Sequence, residues 1–353
     1  MGTAILLSGG VDSATALARL KQQGYRDIRA YYLKIWLEDE MSYLGSCPWE
    51  EDLSYARAVC RDLDVPLEIV PLQLEYYDRV VSYALAELRA GRTPSPDIFC
   101  NSRIKFGAFW DALQDDVDAV ATGHYARVTR EADHYALRRA PDPVKDQTYF
   151  LSHLTQEQLS RILFPIGDLT KAEVREIAER EALAPRRRKD SQGICFLGKL
   201  RYPDFVRHYL GEKRGRIVER ESGTVLGEHR GYWFHTIGQR QGLGLGNGPW
   251  YVVAKDIEEN VVFVSHRENL VDAARDSFES GDLHWINGAP EEGPVQLKLR
   301  HGPELVDGEI RCRNGGSRLS VRMAEADRGV APGQFSVFYR GDVCLGAGRI
   351  LEA

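Results

Sequence analysis

Six cysteines occur in the 353 residues, and no two of them form Cys-x-x-Cys. That absence excludes a zinc ribbon and a thioredoxin-type redox motif. None of the nine histidines lies in a His-Glu-x-x-His pattern, which argues against a zinc hydrolase. No uninterrupted apolar stretch is long enough to span a bilayer, so no membrane partner is expected. No basic leader precedes Ala4-Ile5-Leu6-Leu7, so a signal peptide is not expected, and Leu6 breaks the myristoylation pattern. The expectation is therefore a monomer in a reducing, cytoplasmic setting. No internal repeat and no low-complexity segment stands out. Net charge is only -6, from 46 basic and 52 acidic residues, which does not mark a generally basic nucleic-acid binder. Local runs carry more information. Arg186-Arg187-Arg188-Lys189 and Lys213-Arg214-Gly215-Arg216 read either as solvated loops or as phosphate contacts.

What is present is ordinary globular material. Hydrophobic residues make up 43% and charged residues 28%, which argues against disorder. The length exceeds one core, so roughly two or three domains are expected. The first half alternates strand-like and helix-like patterns. Ala4–Leu7, Ile28–Leu33, Leu67–Val70 and Ala119–Thr122 read as strands, and Asp12–Gln23, Glu50–Leu63 and Glu75–Arg89 as helices. That order predicts an α/β unit with a parallel sheet. The pattern changes near Tyr202, where short β-like runs broken by glycine begin. The tract Gly242, Gly244, Gly246, Gly248 reads as a loop, because its spacing is wrong for a dinucleotide fingerprint. From Leu283 onward the alternation has period two, with turns at Asn314-Gly315-Gly316 and Arg340-Gly341-Asp342, which predicts a small antiparallel barrel. The expected division is 1–201, 202–275 and 276–353.

Ser8-Gly9-Gly10-Val11-Asp12-Ser13 joins the first strand to the first helix. Paired glycines let the backbone approach a ligand, and amides at a helix N-terminus attract phosphate. Asp12 would repel phosphate directly, so it either holds Mg2+ or orients the loop. Gly-Lys-Ser/Thr is missing, which rules out a Walker A loop. The hexapeptide resembles the signature of the ATP pyrophosphatases, a family that includes argininosuccinate synthetase, GMP synthetase, the lysidine synthetases and tRNA thiolases. This resemblance implies cleavage of ATP between the α and β phosphates and adenylation of a substrate oxygen.

Two cysteines stand in polar, basic contexts that favour thiolate. Cys100 follows Thr93-Pro94-Ser95-Pro96-Asp97, where two prolines hold the chain extended before a helix expected to begin near Asn101, with Arg103 and Lys105 beyond. Cys195 lies in the glycine-flanked loop Asp190-Ser191-Gln192-Gly193-Ile194-Cys195-Phe196, just after the basic run. Cys60, Cys312 and Cys344 read as packed thiols, and Cys47 as structural.

With these motifs, the chain resembles the tRNA-specific 2-thiouridylases, which place sulfur on the wobble uridine. The resemblance runs from Ile5 to about Ile350. Besides the hexapeptide it rests on Thr93-Pro94-x-Pro96-Asp97-x-x-Cys100-Asn101, Ala121-Thr122-Gly123-His124-Tyr125 and Lys145-Asp146-Gln147. Asp190-Ser191-x-Gly193-Ile194-Cys195-Phe196 and Pro332-Gly333-Gln334 complete it. Relatives often carry Asn at the position of Ser95, Gly at Leu6 and Met at Leu33.

The resemblance implies an ATP-pyrophosphatase domain, a small β-rich central domain and a C-terminal β-barrel. It implies Cys100 as nucleophile, Cys195 as persulfide carrier and Asp97 as the acid or base for the target uridine. Ser95, Pro96 and Asp97 would surround that base. Leu6, Leu7, Ser8, Gly9, Gly10, Val11, Asp12, Ser13, Leu33 and Gly123 would bind ATP with Mg2+. His124, Lys145, Asp146, Gln147, Arg300, His301 and Gln334 would contact tRNA, expected to be of the Lys, Glu and Gln types. The sulfur donor would be a cysteine desulfurase or a sulfur-relay protein. Either the Cys195 persulfide attacks uridine C2, or Cys100 attacks the persulfide and frees sulfide. Both routes leave a Cys100–Cys195 disulfide. An iron–sulfur cluster on Cys100, Cys195 and Asp97 is the alternative way to handle sulfur. Two other functions fit less of the pattern: an ATP pyrophosphatase that amidates or ligates a small molecule, and a non-catalytic tRNA-binding sulfur carrier.

Overall fold

A computed structural model describes residues 2–35, 48–113, 116–190, 202–266 and 274–352. Cys47 and Cys195 lie outside the described residues. The N-terminal unit is built on β1 (Thr3–Leu6), β2 (Ile28–Lys34), β3 (Leu67–Pro71) and β4 (Ala119–Ala121). The hairpin β5 (Ala126–Arg130) and β6 (Tyr135–Arg139) follows, then the short strand β7 (Ile162–Leu163). Strands β1 to β4 and β7 form one parallel sheet in the order β3-β2-β1-β4-β7. Every residue of β1 and β4 is buried, which is why they read as continuous apolar runs rather than alternating ones. The helix Val11–Gln22 covers one face through Ala14, Leu17, Ala18 and Leu20, with Pro48–Asp62 on the same apolar cluster. Chain order reverses direction between β1 and β4. The crevice at their C-terminal ends is where such sheets bind ligands.

The central unit comprises β8 (Gly215–Glu219), β9 (Val225–His229), β10 (Trp250–Asp256) and β11 (Val261–His266), ordered β10-β11-β8-β9. Ile217, Val252, Val262 and Val264 fill its core. The C-terminal unit comprises β12 (Arg275–Trp285), β13 (Gly293–Lys298), β14 (Val306–Arg313), β15 (Arg318–Asp327), β16 (Phe335–Arg340) and β17 (Val343–Glu352). Their pairing runs β12-β15-β14-β13-β16-β17 and returns from β17 to β12, so the six strands close an antiparallel barrel. The fold class expected from the sequence is the one observed.

One joint between units was not legible in the periodicity. Strand β6 pairs with β17, through Val343 opposite Arg138 and Cys344 opposite Leu137. The hairpin of the N-terminal unit thereby extends the barrel sheet. A buried ion pair sits beside this joint. Asp146 accepts from Lys298 at 2.9 Å with both side chains 0% exposed, and pairs with Arg139 at 3.2 Å. Thr148 Oγ1 donates to the same carboxylate at 2.9 Å. No helix among the described residues is long and apolar enough to cross a membrane.

Candidate functional site

The loop after β1 turns into the first helix through its own side chains. Ser13 Oγ accepts from the Ser8 backbone N–H at 3.2 Å and donates to the Gly10 carbonyl at 3.2 Å. Gly10 is the N-cap and has no side chain to cap the helix, so the cap residue leaves the first-turn amides without a side-chain acceptor. Gly123, just past β4, packs directly on this turn. A Cβ there would lie 2.7 Å from the Asp12 carbonyl carbon and 2.7 Å from the Ser13 nitrogen. Leu6 and Leu33 close the apolar side, both packed in the cluster that contains Tyr31 and Cys100. The residues present thus form a cradle of the kind a nucleotide triphosphate requires.

Charge converges on the same loop. Asp12 Oδ1 accepts from the Tyr125 hydroxyl at 2.8 Å and from Lys171 Nζ at 2.7 Å. Lys171 also meets Asp190 Oδ1 at 2.7 Å, and Lys145 meets Asp190 Oδ2 at 2.7 Å. Burial alone would push the Asp190 carboxyl up, but hydrogen bonds and charges from Lys145 and Lys171 outweigh it and hold the group well below the usual carboxylate range. Burial, reinforced by Asp12, pushes the Tyr125 hydroxyl far above its ordinary value, so it stays a proton donor. Arg188 donates to the Gly9 carbonyl at 3.0 Å and pairs with Asp52. Arg188 belongs to the basic run noted in the sequence, whereas Lys171 and Arg175 are contributors that motif reading did not single out. One local signal pointed at their helix. Thr170 and Glu173 form a reciprocal capping box that starts Lys171–Arg180.

Cys100 lies on the other side of the crevice. The helix there begins at Pro96, not near Asn101 as expected, with Ser95 as N-cap and Pro96 in the first turn. Proline is well suited to that position because its missing N–H is one the helix would leave unbonded. Cys100 is therefore one turn inside the helix, where a π-helical stretch Cys100–Ala108 takes over, and it is 1% exposed. The N-terminal thiolate argument does not hold in the form read from the sequence. Asp97 occupies the first turn and is partly exposed. Asn101 Nδ2 donates to the Phe150 carbonyl at 3.0 Å, while its Oδ1 is buried with no hydrogen-bond partner.

The C-terminal barrel seats against this segment. Thr93 N donates to the Pro332 carbonyl at 3.0 Å, and a Cβ on Gly333 would lie 2.9 Å from Thr93 N. Gly333 has φ +94°, so both space and backbone conformation call for glycine. Two motifs far apart in sequence thus meet face to face. The Tyr149 hydroxyl adds a bond to the Phe335 carbonyl at 3.1 Å.

The residues expected to contact tRNA fall into separate places. Arg300 and Gln334 line a cleft of about 600 Å³ between the central unit and the barrel, with Arg300 paired to Asp327 at 2.7 Å. Lys145 and Gln147 flank the phosphate loop, Gln147 Oε1 accepting from Tyr125 N at 3.0 Å. His301 stacks on Phe150 at 4.8 Å and meets the Asp146 carbonyl at 3.2 Å. His124 is buried and bonded to Thr122 Oγ1 at 2.8 Å, and burial holds its imidazole neutral, well below its ordinary pKa. The side chain of Asp146, expected as an RNA contact, is turned into the interior. Its carboxylate is enclosed by Lys298, Arg139 and Thr148 and belongs to the joint between units. Among the described residues, no group of three His, Cys, Asp or Glu side chains stands together as a metal site.

Comparison with known proteins matches three models along the chain. Residues 1–199 match a tRNA methyl transferase HUP domain, 203–266 a tRNA methyl transferase PRC-barrel domain, and 275–350 an aminomethyltransferase β-barrel domain. Among full-length relatives, tRNA-specific 2-thiouridylase MnmA 2 of Bacteroides fragilis strain YCH46 is 47% identical over 357 residues, covering 99% of this chain and 100% of the relative. The tRNA-specific 2-thiouridylases MnmA of Parabacteroides distasonis and Porphyromonas gingivalis strain ATCC 33277 are 46% and 45% identical, each covering 100% of this chain and 99% of the relative. With the phosphate cradle, the Cys100 helix and the barrel seated on it, identity of this extent from end to end shows that the chain belongs to the tRNA-specific 2-thiouridylase family.

Proposed function

We propose that this protein uses ATP to replace the C2 oxygen of a tRNA wobble uridine with sulfur. The observation that carries the reading is a glycine-containing loop and a cysteine-bearing helix built onto one core. The loop Ser8–Ser13, packed against Gly123, follows β1, and Leu6 at the end of β1 shares an apolar cluster with Cys100 of the helix that Pro96 and Asp97 open. The methyl-transferase wording attached to two of the matched domains does not alter this. A triphosphate, not a methyl donor, is what a glycine loop at an uncapped helix N-terminus suits.

The uridine C2 oxygen is a poor leaving group, and its bond to carbon must be weakened before sulfur can enter. In the first step that oxygen attacks the α-phosphorus of ATP, the bond to pyrophosphate breaks, and Asp97 takes the N3 proton. The loop amides, Lys171 and Arg188 stabilise the charge that accumulates on the departing pyrophosphate. Mg2+ bound with the nucleotide supplies further neutralisation of that charge. Asp12, held by Tyr125 and Lys171, orients the loop. In the second step a Cys195 persulfide attacks C2 and AMP leaves, forming a C2–S–S–Cys195 link. The Cys100 thiolate then attacks the Cys195 sulfur, the S–S bond to the base breaks, and the base regains its N3 proton as 2-thiouridine. The resulting Cys100–Cys195 disulfide is reduced by an external dithiol. Cys100 becomes accessible when RNA docks between the Ser95–Asp97 turn and the barrel. Lys145, Gln147, Arg300, His301 and Gln334 serve as contacts for tRNAs of the Lys, Glu and Gln types. A cysteine desulfurase or sulfur-relay protein reloads Cys195.

The test is incubation with ATP, Mg2+, a persulfide donor and unmodified tRNA, followed by digestion and mass detection of 2-thiouridine. Wild-type protein is expected to form it, and Cys100→Ser and Cys195→Ser to abolish it. Undiminished product from both variants would refute the two-cysteine route. ATP cleavage without tRNA dependence would point instead to a small-molecule ligase.

A further inference from the structure

The chain enters the segment containing Cys195 from Asp190, and Asp190 is tied to the ATP loop. Its Oδ1 meets Lys171 at 2.7 Å, and Lys171 bonds Asp12 Oδ1 at 2.7 Å. Its Oδ2 meets Lys145 at 2.7 Å. The stretch that carries Lys145 also carries Gln147, whose side chain accepts from Tyr125 N, and the Tyr125 hydroxyl returns to Asp12. The contacts close a ring that begins and ends on the phosphate loop. Arg175 fastens the same place from the helix Lys171–Arg180. It donates to the carbonyls of Arg186 at 2.8 Å and Arg188 at 2.7 Å and pairs with Asp190. Arg188 in turn donates to the Gly9 carbonyl. Three cations thus meet on one carboxylate, and a carboxylate so held fixes the chain at Asp190.

We infer that Asp190 and Arg175 are positioning residues, which set the point where the Cys195 segment departs from the nucleotide site and so couple adenylation to sulfur delivery. The inference rests on the function proposed above. Neither residue needs to touch ATP or RNA. Sulfur transfer needs Cys195 within bonding distance of an adenylated carbon, and a shift of the departure point costs that step far more than it costs adenylation.

The experiment counts both products in one reaction. Full-length protein, tRNA, labelled ATP and an alkyl persulfide are combined, and AMP and 2-thiouridine are measured together. Wild type is expected to form close to one 2-thiouridine per AMP. In Asp190→Asn and in Arg175→Gln that ratio is expected to fall by about tenfold or more, with AMP formation falling much less. Asp190→Glu, which keeps the charge, is expected to recover part of the ratio. A merely structural role would lower both products in parallel and leave the ratio unchanged, and that result overturns the inference. Should Asp190→Asn fail to fold, Arg175→Gln carries the same test, since it leaves Asp190 with Lys145 and Lys171. Absence of 2-thiouridine from the wild type would instead overturn the proposed function.

Discussion

Gly123 shows how much a single position can carry. It is glycine not for a turn but because the first turn of the helix after β1 occupies the space where a side chain would be. A methyl group 2.7 Å from Ser13 N must push that turn outward. Gly123→Ala is therefore expected to raise the KM for ATP by about tenfold or more, about 1.4 kcal/mol of binding. Steady-state kinetics against ATP check this, and an unchanged KM would separate Gly123 from the nucleotide site. The turn from β1 into its helix was legible in the hexapeptide because backbone requirements leave a local trace, while Gly123 was expected there only through the family resemblance. Lys171 and Arg175 were not legible, because their partners Asp12 and Asp190 reach them only through the tertiary fold. The buried partner of Asp146 was not legible for the same reason. A charged residue in a polar stretch reads as surface, and only the structure shows Lys298 buried against it.

At the scale of elements, the largest departures occur where local and tertiary preferences compete. Proline was read as holding the chain extended before a helix, whereas Pro96 stands inside the first turn and moves the helix start ahead of Cys100. The hairpin β5–β6 escaped notice because its apolar residues are few and its pairing partner, β17, belongs to another unit. The period-two strands of the barrel were readable because each has one face on a shared core. The joint made by β6, β17 and the Asp146–Lys298 pair is a further element whose strength can be measured. Removing Asp146 leaves a fully buried ammonium without its closest carboxylate. Asp146→Ala is expected to destabilise the protein by about 3–5 kcal/mol. Denaturant unfolding followed by tryptophan fluorescence checks it. A loss below the level of an exposed ion pair would mean that the joint relaxes and admits water.

At the scale of the whole molecule, each of three units supplies a different surface. The parallel sheet supplies the phosphate loop at its reversal point, and the barrel clamps the Cys100 segment through Thr93, Pro332 and Gly333. The central unit closes a cleft with Arg300 and Gln334. In the proposed function, adenylation falls to the first unit, and the Arg300 and Gln334 contacts to the barrel side of the cleft it forms with the central unit. The central claim is that ATP serves to make the uridine C2 oxygen leave. The most direct measurement follows that oxygen. A tRNA carrying 18O at C2 of the wobble uridine is incubated with ATP, Mg2+ and a persulfide donor, and the AMP is examined by mass spectrometry. The label is expected in the phosphate of AMP, one atom for each 2-thiouridine formed. Unlabelled AMP alongside 2-thiouridine would contradict adenylation of the base.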